Sequence, residues 1–293
     1  MSDSPTSQRG SGALQFGDRL AAVFENRGRL CVGIDPHPFL LDEWNLHDSA
    51  EGVREFGLRV VDAAAGVIGI VKPQVAFFER HGSLGYAALE SVLAAARSAG
   101  LLVIADAKRG DLGTSVEAYG QAWLTPGSPL EADAMTISVF QGVGSIAAPI
   151  ELARANGKGL FVLAATSNPE AAAVQTAVIA VGRSRGQTVA AGIVNEVDEV
   201  NAGAGRLGSV GLVLGATVAL NDYGISESNL LKTPILGPGF GEQGAQFADL
   251  AHIYGAASAN VVVSVSRSVL RAGPDEIDVA IVRQAAELAE LAP

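Results

Sequence analysis

The sequence predicts a (β/α)8 barrel, which is a closed parallel sheet of eight strands with helices around it. Eight short runs rich in apolar and β-branched residues recur along the 293-residue chain, as expected of parallel strands buried on both faces. Segments with helical spacing lie between most of these runs. The predicted strands span residues 30–34, 67–71, 101–105, 134–137, 160–163, 210–214, 234–236 and 261–265.

The intervening helices follow from the spacing of their apolar residues. Between the second and third predicted strands, Leu84, Ala88 and Val92 recur at helical intervals, and Gly100 follows as a helix stop. Eight alternating units favour a closed TIM barrel over an open doubly wound sheet, although periodicity alone does not decide closure. Such barrels reach about 250 residues as one unit, so residues 13–293 are predicted to form a single catalytic domain.

Two segments fall outside this regular pattern. Residues 1–12 are polar and rich in Ser and Gly, and we expect a flexible tail there. Residues 169–208, between the fifth and sixth predicted strands, exceed what one crossover needs and are predicted to be an elaboration of the barrel. Within this elaboration, Val189, Ile193 and Val197 mark the apolar face of a predicted helix.

The composition excludes several classes of function. The formal net charge of −11 disfavours binding to nucleic acid or to an anionic membrane, because both require a positive footprint. No apolar run approaches the roughly 20 residues of a membrane span. Cys31 is the only cysteine, which forbids an internal disulfide and fits a reducing, cytoplasmic location. We therefore expect a cytoplasmic protein that acts on a small molecule.

Unusual polar residues follow the predicted strands at their C-terminal ends, and in barrel enzymes that rim carries the active site. They are Asp35, Lys72, Asp106 with Lys108, Ser138, Ser167, residues 239–243 and residues 264–267. Asp106 and Lys108 are two residues apart, so their side chains leave an extended strand on the same face and can pair. A structural ion pair at a strand end is the alternative. Asp111 lies beyond the strand and could serve a neighbouring subunit.

The loops after the seventh and eighth predicted strands indicate a phosphate site. Gly239 and Gly241 offer backbone N–H groups, and Gln243 offers a side-chain amide. Arg267 begins a predicted helix after the eighth strand and can add charge to the same site. These two loops are the recurrent phosphate site of barrel enzymes. A phosphorylated small molecule is therefore the predicted ligand.

Five sequence blocks together resemble the orotidine 5'-monophosphate decarboxylase family, specifically its longer bacterial branch, type 2. The blocks are CVGIDPHP at 31–38, KPQ at 72–74, DAKRGDLG at 106–113, TSNP at 166–169 and GPGFGEQG at 237–244. They occur in order, and the match extends from about Phe16 to the final helix. The DxKxxD core is highly specific when it is joined to the other blocks.

The resemblance implies decarboxylation of orotidine 5'-monophosphate to uridine 5'-monophosphate in de novo pyrimidine biosynthesis, without metal or cofactor. It implies Lys108 as the proton donor to C6 of the pyrimidine, with Asp106, Asp111 and Lys72 completing the charged catalytic network. It also implies a homodimer in which Asp111 and Ser115 come from the partner chain. The implied substrate contacts are Asp35, Lys72 and Ser115 for the ribose, Ser167 for the pyrimidine, and Gly239, Gly241, Gln243 and Arg267 for the phosphate.

Two alternatives remain open from the sequence. A metal-dependent sugar-phosphate decarboxylase or aldolase of the same barrel superfamily uses a related core with magnesium, and a chelator would abolish its activity. A nucleotide-binding barrel without chemistry would bind its ligand and not turn it over. The histidines, which are His37, His47, His81 and His252, lack metal-ligand spacing and are interpreted as structural.

Overall fold

The computed structural model describes residues 14–242 and 244–291, and its centre is a closed parallel barrel. The strands neighbour one another in sequence order, and the first pairs with both the second and the eighth, which confirms the predicted barrel. The tail predicted for residues 1–12 lies outside the described residues. The strands are β1 Leu30–Ile34, β2 Ile70–Pro73, β3 Leu102–Arg109, β4 Ala134–Ile137, β5 Gly159–Ala165, β6 Val210–Leu214, β7 Ile235–Pro238 and β8 Val261–Val265.

Helices surround the barrel and connect its strands. The predicted stop at Gly100 is confirmed, since the helix before it ends at Ser98 and Gly100 has a φ of +74°. Within the described residues, no helix combines the length and the apolar composition needed to cross a membrane. The α-helices are α1 Phe16–Arg27, α2 Pro38–Glu43, α3 Ala50–Ala64, α4 Val75–Glu79, α5 Gly82–Ser98, α6 Gly113–Leu124, α7 Ala147–Ala155, α8 Ala172–Gln175, α9 Val189–Asn201, α10 Leu250–Tyr254, α11 Arg267–Leu270 and α12 Ile277–Glu290.

Helix α1 closes the N-terminal end of the barrel. Phe16 is fully buried and meets Phe161 of β5 edge-on, with ring centroids 6.0 Å apart. Gly159 gives this ring its space, because a Cβ there would lie 2.3 Å from Phe16 Cδ1. The barrel interior below the rim is thus a packed core, as in other barrels of this type. Its other members include Leu20, Phe24, Cys31, Ile70, Ile104, Ala134, Val213, Leu236 and Val262.

Strands β2 and β3 differ from their predicted bounds in a way that matters for the site. Val67 and Ile68 donate backbone hydrogen bonds to Ala64 O at 3.1 and 3.2 Å, so they continue the turn after α3 and β2 starts later. As a result Lys72 lies within the sheet and not just beyond it. Strand β3 likewise runs past its predicted end at residue 105 to Arg109.

The elaboration between β5 and β6 contains α8 and α9. Helix α9 begins after Thr188, whose hydroxyl accepts a hydrogen bond from Ala191 N at 3.0 Å. Val197 is fully buried as predicted, whereas Val189 and Ile193 are only half-buried. The buried face of α9 also includes the small residues at positions 190–192. A sequence prediction based on large apolar side chains does not detect them.

Candidate active site

A cavity of about 570 Å³ opens at the C-terminal ends of the strands, on the rim that the sequence predicts. This volume falls within the range of about 300–1,000 Å³ that is usual for small-molecule sites. Val213 and Leu236 line the cavity and belong to the inner core, so its base is apolar. The predicted site residues that line it are Asp35, Lys72, Asp106, Lys108, Ser167, Gly239 and Arg267.

Asp106 is the centre of the charged cluster and is only 7% exposed. Lys72 Nζ lies 3.0 Å from its Oδ2, and Lys108 Nζ lies 2.7 Å from its Oδ1. Gln74 Nε2 donates to Oδ2 at 3.1 Å, and the Thr136 hydroxyl donates to Oδ1 at 2.9 Å. Each carboxylate oxygen therefore has an ammonium group and a neutral donor beside it.

Asp106 and Lys72 keep their charges at neutral pH. Burial by itself would raise the pKa of Asp106, but the positive charges of Lys72 and Lys108 outweigh it and hold that pKa well below its usual range. Burial would lower the pKa of Lys72, but the carboxylates of Asp106 and Asp35 outweigh it and hold that pKa above its usual range. The cavity thus contains a fixed carboxylate between two ammonium groups.

Lys108 adopts an unusual backbone conformation. Its φ is +48°, in the left-handed region that favours glycine, and its N–H donates to Thr136 Oγ at 2.9 Å. The pairing of β3 with β4 shifts register between Ala105 and Arg109. Asp106 and Lys108 therefore meet at a bulged strand end, and the simple alternation of an extended strand does not by itself account for their contact. Strain of this kind concentrates at functional sites.

Two buried oxygen atoms on the cavity wall lack a partner among the described residues. They are Asp35 Oδ1 and Ser266 Oγ, and both residues line the cavity. Gly33 lies against both side chains, because a Cβ there would come within 2.9 Å of Asp35 Oδ2 and 3.0 Å of Ser266 Cβ. A buried polar atom without a partner is costly, so these atoms point to a polar ligand.

The segments after β7 and β8, where the sequence predicts a phosphate site, form one side of the cavity. Arg267 at the start of α11 makes no salt bridge with any described residue and lines the cavity. Gly239 lines it too, with a φ of +116°. Gly241 stands apart, because its N–H donates to Ala245 O at 2.9 Å and it does not line the cavity. Gln243 lies outside the described residues.

The remaining predicted residues divide into two groups. Ser167 is exposed on the rim after β5, where its backbone N would lie 3.2 Å from a Cβ at Gly215. Asp111 and Ser115 do not line the cavity of their own chain. Asp111 Oδ1 accepts a hydrogen bond from Leu112 N at 2.8 Å, and Ser115 is exposed in the first turn of α6.

Several residues that line the cavity, or that contact its charged cluster from behind, were not predicted from the sequence. Thr136 lies inside β4 and looks like an ordinary β-branched strand residue, so no local signal separates it from core positions. Gln74 and Ser266 stand in the polar blocks at 72–74 and 264–267, but the sequence prediction gives neither of them a role. His37, interpreted as structural, packs on Phe77 at 4.3 Å between ring centroids and also lines the cavity. Burial lowers the pKa of His37, so its imidazole is neutral at neutral pH.

The chemistry of the donors also bears on metal binding. Among residues 14–242 and 244–291, no group of three or more His, Cys, Asp or Glu side chains is placed to hold a metal ion. In the cavity, a divalent ion would have to displace Lys72 or Lys108 from Asp106, because an ammonium group already lies beside each oxygen.

The rim of this barrel carries Asp106 between two lysines, with Arg267 in the same cavity. These features place the chain in the class of barrel enzymes that act on anionic small molecules. Residues 28–280 match the model of the orotidine 5'-phosphate decarboxylase / HUMPS family, and the chain belongs to this family. An orotidine 5'-phosphate decarboxylase from Salinispora tropica is 51% identical over 262 residues, which cover 89% of this chain and 92% of that protein. One from Streptomyces coelicolor is 50% identical, covering 89% and 91%.

A solved structure agrees with these relatives. The crystal structure of a Streptomyces avermitilis chain, assigned as an orotidine 5'-phosphate decarboxylase, is 46% identical and superposes with a TM-score of 0.90. The superposition covers 98% of this chain and 99% of that one. The resemblance drawn from the five sequence blocks is therefore confirmed at the level of the family.

Proposed function

We propose that this protein is a carboxy-lyase that decarboxylates orotidine 5'-monophosphate to uridine 5'-monophosphate in pyrimidine biosynthesis. The observation that carries the proposal is the Asp106 carboxylate held between Lys72 and Lys108 inside the rim cavity. Family membership and the names of the bacterial relatives support the same substrate.

In this reaction the bond between C6 and the carboxylate carbon breaks, and its electron pair stays on C6 as carbon dioxide leaves. Lys108 Nζ then delivers a proton to C6, and solvent restores the proton to the lysine. The 47% exposure of the Lys108 side chain supports this role, because the ammonium group must reach both substrate and water. Lys72, whose side chain is 8% exposed, acts as a fixed cation beside Asp106.

Electrostatic attraction from one lysine is insufficient for the whole effect. Two charges about 4 Å apart gain roughly 4 kcal/mol at an effective dielectric constant of about 20. Enzymes lower reaction barriers by about 8–23 kcal/mol. We assign the difference to the preorganised charges around Asp106 and to binding energy from the phosphate group, which holds the reacting ring in place.

The remainder of the cavity is assigned to the nucleotide. Arg267 and Gly239 bind the phosphate with the help of Gln243, and Gly241 shapes the loop through its own hydrogen bonds. Asp35 binds ribose hydroxyls, which its partnerless oxygen supports. Lys72 contacts the same ribose edge, and Ser167 contacts the pyrimidine.

We propose that the active protein is a homodimer with shared sites, in which Asp111 and Ser115 of each chain serve the cavity of the other. Their position outside the cavity of their own chain supports this arrangement. Leu112 and Phe140, which lie in the adjoining loops, are 59% and 85% exposed. Large apolar side chains with this exposure are typical of a surface that another chain covers.

We further propose that the reaction needs neither metal nor cofactor and that the protein works in the cytoplasm. The absence of a metal requirement is supported by Asp106, because an ammonium group already lies beside each of its oxygens. The single cysteine supports the cytoplasmic location, because the chain can form no internal disulfide.

The test is to follow the ultraviolet absorbance of orotidine 5'-monophosphate with purified protein in EDTA. We expect loss of the substrate and release of carbon dioxide at the same rate with and without the chelator. Activity that EDTA abolishes and magnesium restores would favour the metal-dependent alternative. Binding without turnover would favour a barrel that has no chemistry.

A further inference from the structure

A second cavity, of about 430 Å³, lies at the opposite end of the barrel from the proposed active site. It is bounded by the end of α1, the start of β1 and the last turns of α12. One wall is apolar and contains Phe24, Leu30 and Leu288. Three arginines, Arg27, Arg29 and Arg206, also line it.

Arg29 is the unusual member of this group. It is 8% exposed, and its Nη1 donates to the backbone carbonyl of Ser258. No described carboxylate pairs with it, and burial lowers its pKa. A buried cation without an anionic partner is costly, and native chains rarely retain one without compensation.

The Arg29 guanidinium also has unused donors. A guanidinium carries five N–H groups, and a backbone carbonyl takes only one of them here. Among the described residues, none of the Arg29 nitrogens is both closed off from solvent and without a hydrogen-bond partner. The unused donors therefore retain contact with the cavity that Arg29 lines.

The charge around the cavity is positive although the chain as a whole carries −11. Arg27 donates to the backbone carbonyl of Gly66 and has no described carboxylate partner. Arg206 pairs with Glu25, which is the only carboxylate among the described residues that line this cavity. The lining thus holds more positive than negative groups beside an apolar wall.

We infer that this cavity binds a small organic anion, with its phosphate or carboxylate group on Arg27, Arg29 and Arg206 and its apolar body against Phe24 and Leu288. The packed inner core separates this cavity from Asp106, so the anion takes no part in the reaction at the rim. It is a second site, independent of the proposed decarboxylation.

The experiment uses phenyl phosphate as the probe, because it joins an anionic group to a flat apolar body. Titration calorimetry is carried out on the Arg267→Ala protein, in which binding at the proposed phosphate site of the rim is weakened. The test variant adds Arg27→Gln and Arg206→Gln, two exposed positions whose replacement leaves the buried Arg29 in place. The control adds Arg54→Gln and Arg283→Gln, exposed arginines that remove the same charge away from the cavity.

We expect phenyl phosphate to bind the control about tenfold or more tightly than the test variant, because charge-assisted hydrogen bonds are lost only from the latter. Inorganic phosphate should bind the control more weakly than phenyl phosphate does, since it lacks the apolar body. Equal affinity of phenyl phosphate for both variants, or no binding to either, would overturn the inference. Thermal melting of both variants checks that each is folded.

Discussion

The Thr136 hydroxyl donates a hydrogen bond to Asp106 Oδ1 at 2.9 Å. The hydroxyl oxygen of Thr136 also accepts the backbone N–H of Lys108, at 2.9 Å. A single side chain of β4 thus fixes both the carboxylate of the cluster and the left-handed backbone from which the lysine extends. We therefore expect Thr136 to be a positioning residue that acts through Lys108 and Asp106.

Replacement of Thr136 by valine should lower kcat by about 10- to 100-fold, because one or two buried hydrogen bonds are worth roughly 1–3 kcal/mol. KM should change little, since Thr136 is not among the residues that line the cavity. Thr136→Ser keeps the hydroxyl and should retain most of the activity. Steady-state kinetics measure both variants, and equal losses in the two would contradict the positioning role.

Lys108→Ala should abolish release of carbon dioxide while leaving the fold intact. General acid catalysis contributes about 10²- to 10⁴-fold, and loss of the cation adds to this. The lysine is half-exposed, and Lys72, Gln74 and Thr136 still contact Asp106 in its absence, so the melting temperature should fall only slightly. Lys232→Ala, which removes an exposed lysine outside the cavity, is the control. Near-normal turnover by Lys108→Ala would refute the role assigned to this lysine.

Arg267→Ala should weaken binding of the nucleotide by about 10- to 100-fold, as expected for lost charge-assisted hydrogen bonds to a phosphate. Orotidine, which lacks the phosphate, should be turned over equally slowly by the variant and the parent protein. This substrate comparison separates a phosphate contact from general damage to the site. An unchanged affinity for the nucleotide would show that Arg267 does not bind the phosphate.

Shared active sites predict that two inactive variants complement each other. Lys108→Ala and Asp111→Asn should each be inactive alone, because every site then lacks one member of the network. In a mixed dimer, one cavity joins an intact Lys108 to an intact Asp111 of the other chain. Equal mixing with subunit exchange should restore about a quarter of the parent activity. Activity that stays at zero after exchange is verified by mass spectrometry would argue against shared sites.

The stability of the fold should depend on the ionisation of Asp106. Its pKa is lower in the folded chain than its unfolded value of about 3.9, so its contribution is present above that value and is lost as the pH falls below it. Asp106→Asn removes this titration. The free energy of unfolding of the variant should therefore fall less than that of the parent between about pH 6 and about pH 3. Urea denaturation measures both, and parallel pH profiles would contradict the assignment.

Much of the barrel could be predicted because burial on both faces leaves a clear mark on parallel strands. Strands β1, β4, β6 and β8 occupy the predicted residues. The second predicted strand was misplaced because Val67 and Ile68 are apolar whether they lie in a turn or in a sheet. Only their hydrogen bonds to Ala64 show that they belong to the turn. An apolar run therefore predicts a buried segment, but it does not determine which residues pair with the neighbouring strands.

The site was predictable where its residues stand in short polar blocks and not where they depend on distant partners. Asp106 and Lys108 share one strand, and both line the cavity. Thr136 contacts them from β4, 28 residues beyond Lys108 and 30 beyond Asp106, so nothing near it in sequence marks its role. The positive φ of Lys108 was equally invisible in the sequence, because the backbone N–H of this residue is bound by that distant hydroxyl.

The closure of the barrel by α1 has a kinetic consequence. Phe16 and Phe161 fill the axis beneath the rim, so the described part of the chain offers no passage through the barrel. Carbon dioxide released above this plug must leave by the opening through which the nucleotide entered. We therefore expect ordered product release, in which carbon dioxide leaves first and the nucleotide follows when its phosphate dissociates from Arg267.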